Sequence, residues 1–382
     1  MSRTPFDIAD IVRLHREALE AVQPLTSVQG RALSAIILCR TAALGGHVNV
    51  CRDCGWEEDP SYNSCRNRNC PKCQALAQER WISARTRAIL PISHYHGVFT
   101  LPQDLRPLSR RLPRAIYDAL FHSTMAAVLE LAESRLGIRL GLTLVLHTWT
   151  RDLRYHPHVH VLITAGGLAL DGKSFKRVRK KILLHVKPLA KLFKGKFMGA
   201  LRKLKEDGVI TLSDGAFGTL MASLQAQDWV VYLKRTFNGP EGTLQYLGRY
   251  THRVGIANSR LLDVTEHQVT FRTKDRRAIT LHPVAFLQRF VQHVLPDKFK
   301  KIRHSGLYAS PKALELARNH LASLPVPVPV PPQTTWQEAL FALTGRDVTR
   351  CPKCGEGLCR RPIPPDGSFT RRPRGPAPRS PP

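Results

Sequence analysis

Three groups of residues in this chain have types and spacings suited to chemistry. In the run HPHVH, His158 and His160 stand two apart, just ahead of the apolar stretch VLIT. On a β-strand alternate residues share a face, so both imidazoles can meet one metal while Val159 enters the core. His147, in LVLHTWT, adds a third imidazole to that face if its run forms the neighbouring antiparallel strand. H-x-H alone also fits satisfied or surface histidines; the third histidine on a partner strand favours a metal. The second group is Tyr246 and Tyr250 in LQYLGRYTHR. In a helix these phenols lie one turn apart on one face, with Arg249, His252 and Arg253 close by. Tyrosines at that spacing also fit a packed core. A phenol that attacks phosphate needs cations to favour phenolate and to hold the phosphodiester's charge, and arginines with a divalent metal supply them.

The third group is cysteine-rich. His47, Cys51, Cys54, Cys65, Cys70 and Cys73 follow the pattern H-x3-C-x2-C-x10-C-x4-C-x2-C. Two C-x-x-C knuckles can wrap one tetrahedral zinc, so Cys51, Cys54, Cys70 and Cys73 are the expected ligands, with Cys65 and His47 as auxiliaries. A closed site of this kind is structural. Its expected job is to order a small DNA-binding lobe, helped by Arg66, Arg68 and Lys72. Near the other end, Cys351, Cys354 and Cys359 are either half of another zinc site, completed by the N-terminal module or another subunit, or free thiols.

The elements that must position these groups follow from local patterns. A first helix is expected with Thr4 as cap and Pro5 in its first turn, then a second over 28–44 ending at Gly45-Gly46, and a helix-prone stretch over 74–90. Beyond it strands are expected over 95–101, 142–150, 158–164, 229–235 and 269–273, with helices over 113–135 and 244–251. The basic stretch 173–197 fits a solvated helix face or a phosphate-tracking surface equally well. PVPVPVPP (325–332) cannot donate enough backbone hydrogen bonds for a helix or central strand and reads as an extended linker. A short helix over 336–343, the knuckle CPKCGEGLC and a Pro/Arg tail complete the chain. The expected fold class is α+β. The expected organisation is a helical zinc-binding module over 1–92, a mixed domain over 93–322, a linker over 323–335 and a C-terminal knuckle and tail over 336–382.

Composition narrows the partner. The 382 residues are 43% apolar, enough for packed cores, while 58 Lys+Arg against 29 Asp+Glu give a net charge of +29. That balance points to a polyanion, most simply nucleic acid. No apolar run reaches the roughly 18 residues of a spanning helix, the N-terminal residues lack a signal peptide's apolar core, and the paired cysteines suit zinc in a reducing compartment. A cytoplasmic location is expected.

Taken together, HVNVCRDCGWEEDPSYNSCRNRNCPKCQ, HTWTRDLRYHPHVHVLITAGG and LQYLGRYTHRVGIANSR resemble the rolling-circle insertion-sequence transposases of the HUH endonuclease superfamily that carry an N-terminal zinc-binding domain. The resemblance covers residues 27–258. It implies a ferredoxin-like nuclease core in which His158 and His160 bind Mg or Mn. It also implies that Tyr246 or Tyr250 cuts single-stranded DNA through a 5'-phosphotyrosine link, joining element ends to target DNA. His147 precedes the histidine pair at the separation seen in related conjugative relaxases, which makes it the expected third ligand, whereas other members of the superfamily use a side chain near the tyrosine. Asn69 departs from the pattern, since relatives often carry His there. A plasmid replication initiator or relaxase would share the catalytic set; the cysteine-rich N-terminus and the absence of a P-loop favour the transposase. A non-enzymatic zinc-dependent nucleic-acid-binding protein explains the charge and cysteines but leaves the histidines and tyrosines coincidental.

Overall fold

The computed structural model describes residues 5–178, 182–235, 255–273, 275–322 and 335–366. Tyr246, Tyr250, Arg249 and Arg253, the helix expected over 244–251 and the proline-rich segment 325–332 lie outside them. In chain order the helices are α1 (Ile8–Val22), α2 (Ser27–Leu38), α3 (Ala75–Ala88), α4 (Arg106–Arg111), α5 (Pro113–Leu136), α6 (Val186–Glu206), α7 (Asp214–Ala226), α8 (Pro283–Val291), α9 (Pro311–Asn319) and α10 (Trp336–Thr344). The strands are β1 (Gly46–Cys51), β2 (Ser61–Tyr62), β3 (His94–Thr100), β4 (Ile138–Trp149), β5 (Tyr155–Ala169), β6 (Phe175–Arg177), β7 (Val231–Arg235), β8 (Leu261–Val264), β9 (Val269–Arg272), β10 (Ala278–Leu281), β11 (Ile302–Gly306) and β12 (Leu358–Ile363). The class is α+β with antiparallel sheets, as the sequence leads one to expect. No helix among the described residues is long and apolar enough to cross a membrane.

The central sheet runs β11-β4-β5-β3-β7, with β6 added to β5. Its two faces follow from period-two alternation. Leu140, Leu142, Leu144 and Leu146 of β4 and Val159, Val161 and Ile163 of β5 point into the main apolar core beneath α5 and α6. Helix α5 starts at Pro113, which suits a first-turn position, and stops at Gly137, whose φ of 64° favours a residue without Cβ. Helix α6 carries Leu189, Phe193, Phe197 and Leu201 at exact four-residue spacing, all buried. Each such side chain contributes roughly 1.5–3 kcal/mol of burial. The outer residues of the basic stretch, Lys187 and Lys191, are exposed.

A second core joins distant parts of the chain. Ile8, Ile11, Val12 and Leu19 of α1 and Leu33 and Ile36 of α2 pack with Phe271, Phe286, Leu287, Phe290 and Val291. Strand β1 pairs on one side with β2 and on the other with β12, so residues 46–62 and the last described strand share one small sheet. Two expected boundaries change. The first helix begins at Ile8, because the Asp7 carboxylate accepts from the Ala9 N–H and makes the better cap. The second starts on a Thr26–Gln29 capping box and ends at Leu38, short of Gly45, with Cys39 as its extended C-cap.

Candidate metal centres

Strands β4 and β5 are antiparallel, with His147 directly opposite His158 and Val145 opposite His160. All three imidazoles therefore stand on the sheet face away from the α5–α6 core, and one nitrogen of each lies within 4.8 Å of the others. Their ring centroids are 4.4–5.4 Å apart. His147 and His160 are buried, and burial pushes the His158 imidazole down to about 4, so it is neutral and fit to ligate at pH 7. The His158 Nδ1–H donates to the His156 carbonyl at 2.8 Å, leaving Nε2 as the nitrogen a metal would take.

Three neighbours escaped sequence reasoning. His96 on β3 shares a 2.8 Å hydrogen bond with His160 Nδ1. Its ring stacks on His160 at 5.1 Å, and burial holds it down to about 4. The signal was an H-x-H in SHYHGVF, whose relevance depends on β3 lying beside β5. Trp149 stacks on His147 at 4.8 Å, and the Lys301 ammonium sits 5.1 Å above that indole, with burial pushing it down to about 7.

The cysteines do not assemble as the paired knuckles suggest. Cys70 and Cys73 meet Cys39 and Cys65, whereas Cys51 and Cys54 belong to a separate group with Cys351 and Cys354. The reason is topological: β1 carries Cys51 and Cys54 away toward β12, while the 65–73 loop folds back onto the end of α2. Cys65 is thus a full member of the first quartet rather than an auxiliary. His47 sits on β1 opposite Ser61 and Pro362 and joins neither cysteine group. In the first quartet Cys65 Sγ lies 3.7 Å from Cys73 Sγ. Hydrogen bonds from Cys65 and then Cys70 pull the Cys39 thiol down, while the same sharing pushes Cys65 and Cys70 up. A shared cation would allow all four to ionise together. Cys39 went unread because a helix continued to residue 44 makes it a core residue rather than a cap.

The expected DNA contacts separate. Arg66 is exposed, with its backbone in the left-handed region at φ of 53°. The Arg68 guanidinium donates to the Phe299 and Pro296 carbonyls at 2.6 and 2.7 Å, and Lys72 pairs with Asp7. These two cations tie the cysteine loop to the rest of the fold.

A family model described as "Transposase zinc-binding domain" matches residues 11–101, and one described as "Putative transposase" matches residues 141–314. Over 378 residues, spanning 94% of this chain and 95% of the relative, the sequence is 37% identical to "Putative transposase y4qJ" of Sinorhizobium fredii. The chain belongs to the IS91/IS801 transposase family. It is also 30% identical over 350 residues to "Transposase for insertion sequence element IS801" of Pseudomonas savastanoi pv. phaseolicola, covering 87% of this chain and 83% of that one. No solved structure matches. Membership implies DNA cleavage and strand transfer, with DNA as the partner. Both transposase segments carry a metal-capable cluster, the Cys39 quartet in the first and the histidine triad in the second.

Proposed function

We propose that this transposase cuts and rejoins single-stranded DNA as a metal-dependent tyrosine nuclease of the HUH type, in rolling-circle movement of an element. The observation that carries this reading is the convergence of His147, His158 and His160, one nitrogen each within 4.8 Å, on adjacent central strands. The antiparallel order β11-β4-β5-β3-β7, with helices over one face and histidines on the other, suits a ferredoxin-like nuclease core. The three imidazoles would hold Mg or Mn, with water and phosphate oxygens supplying the oxygen donors such an ion prefers. Such an ion supplies polarisation of a non-bridging phosphate oxygen.

The chain's own residues do the rest. The Oη of Tyr246 or Tyr250 forms a bond to phosphorus as the bond to the 3' oxygen breaks, leaving a 5'-phosphotyrosine and a 3'-hydroxyl. The 3'-hydroxyl of another strand end can attack that link, restoring the tyrosine and joining new DNA. Arg249 and Arg253, close in sequence, would balance the phosphate's charge. His96 is a positioning residue, holding the His160 ring through its 2.8 Å hydrogen bond. Cys39, Cys65, Cys70 and Cys73 would hold the zinc of the zinc-binding domain, since within residues 11–101 they alone make a complete quartet among the described residues.

The test incubates the purified protein with labelled single strands from the DNA flanking its gene, with Mn or Mg, and looks for a denaturation-resistant adduct. The expected adduct needs metal and maps to Tyr246 or Tyr250. DNA binding without an adduct on any flanking strand, for the wild type and both Tyr→Phe variants alike, sinks the reading.

A further inference from the structure

The second cysteine group lies outside the span of either matched family model on one side. Cys51 and Cys54 come from the turn that ends β1, and Cys351 and Cys354 from a turn that precedes β12, beyond residue 314. Cys51 Sγ stands 3.5 Å from Cys354 Sγ and Cys54 Sγ stands 3.6 Å from Cys351 Sγ, with all four sulfurs within 4.8 Å. Zinc–sulfur bonds of about 2.3 Å in a tetrahedron set sulfurs about 3.8 Å apart. The spacing is that of thiolates around one cation.

The backbone supports the same reading independently, because the two turns are near copies. In the first, Cys51 N donates to Trp56 O at 2.8 Å and Gly55 N to Cys51 O at 3.1 Å. In the second, Cys351 N donates to Glu356 O at 2.7 Å and Gly355 N to Cys351 O at 2.9 Å. Each C-x-x-C-G ends on a glycine in the left-handed region, φ 69° at Gly55 and 81° at Gly355, and each is closed by a bridge, Val50 with Glu57 and Arg350 with Gly357. Two such knuckles facing each other are the two halves of a zinc ribbon. The Lys353 N–H also points at Cys351 Sγ, at 3.4 Å.

What brings the halves together is the β1–β12 pairing, which sets Cys51 opposite Leu358 and Val50 opposite Cys359. Arg346 with Glu58 at 2.7 Å and Arg361 with Glu57 at 3.1 Å add ion pairs between the same two segments. These pairs are exposed on at least one side and contribute little by themselves. A short two-strand contact with few buried apolar residues is weak, and a metal shared by its two turns is the means of holding it.

We infer that Cys51, Cys54, Cys351 and Cys354 bind a second structural zinc, separate from the first quartet, that clasps the C-terminal segment onto the N-terminal module. The inference stands apart from the nuclease reading, since it requires no chemistry at the histidines. Full-length protein carrying His158→Ala and His160→Ala, so that those imidazoles add no metal, should contain two zinc ions per chain by atomic emission. Adding Cys351→Ser and Cys354→Ser should lower the count to one and abolish amide-exchange protection over 358–363, while β5 stays protected. One zinc in the four-cysteine-intact protein overturns the inference, as does retention of two after the cysteine substitutions. Because the serine variant can misfold, cobalt substitution of the intact chain decides alone. Two tetrathiolate sites give about twice the thiolate-to-cobalt absorbance per chain of one, and a single-site value overturns the inference.

Discussion

The first cysteine quartet and the histidine triad have similar dimensions but are built in opposite ways. Cys39 caps a helix and Cys65, Cys70 and Cys73 lie in one irregular loop, held there by Arg68, Lys72 and isolated hydrogen bonds rather than by strand pairing. His147, His158 and His160 stand on two long neighbouring strands whose other face is sealed by the main core. The triad's geometry is therefore set by strand pairing, whereas the quartet's rests on a loop that a bound zinc would hold in place. On the proposed reading, metal would act as folding energy at one site and as a reagent at the other.

The largest effect should come from breaking the loop-built site. Cys39→Ser with Cys65→Ser should remove one zinc per chain and destabilise the N-terminal module severely, given apparent zinc-binding energies of about 10–16 kcal/mol in small zinc-dependent folds. Zinc content and thermal unfolding check this; an unchanged melting profile would mean the loop stands without metal. Next, His158→Ala should reduce covalent adduct formation to background while zinc content and most DNA affinity persist. Loss of folding instead would make the triad structural and erase the contrast.

Acid should separate the regions by a smaller amount. His293, hydrogen-bonded to Thr148 and the Leu153 carbonyl, is buried, and desolvation pushes it down to about 4. Unfolding raises it to the ordinary value near 6.5, so the unfolded chain binds the extra proton between those limits. Stability should thus be full above about 6.5 and fall by up to about 3 kcal/mol as pH drops toward 4. Denaturant titration of wild type and His293→Gln measures it, the variant losing that part of the slope. The smallest effect should follow His96→Ala, which removes only the support of His160. Mn affinity should weaken about 10–100-fold, with zinc content unchanged and partial recovery in His96→Asn. Isothermal titration with Mn reads this directly.

The placement of the histidines was legible because its signals are local. Alternation along 142–150 and 158–164 placed the histidines on one face, and Pro113 and Gly137 bracket the long helix close to its expected ends. The zinc side was misgrouped because every C-x-x-C turn looks alike in sequence, and neighbours in the chain seemed the natural partners. A helix boundary six residues too long hid Cys39 in the same way, since the capping geometry at Leu38 depends on where the following loop folds back. Arg68 and Lys72 read as DNA contacts from charge alone, but carbonyls at 296 and 299 and the Asp7 carboxylate claim them.

By itself the sequence determined the donor types, their spacing, the face each strand would present and a charge of +29 suited to DNA, all set by neighbours within a few residues. Only the tertiary structure decided which donors meet. Strand order put His96 beside His160, and the β1–β12 pairing carried Cys51 and Cys54 across some three hundred residues to Cys351 and Cys354. The physical reason is that contacts between distant segments are chosen by burial and backbone pairing of the whole chain, which no local spacing records.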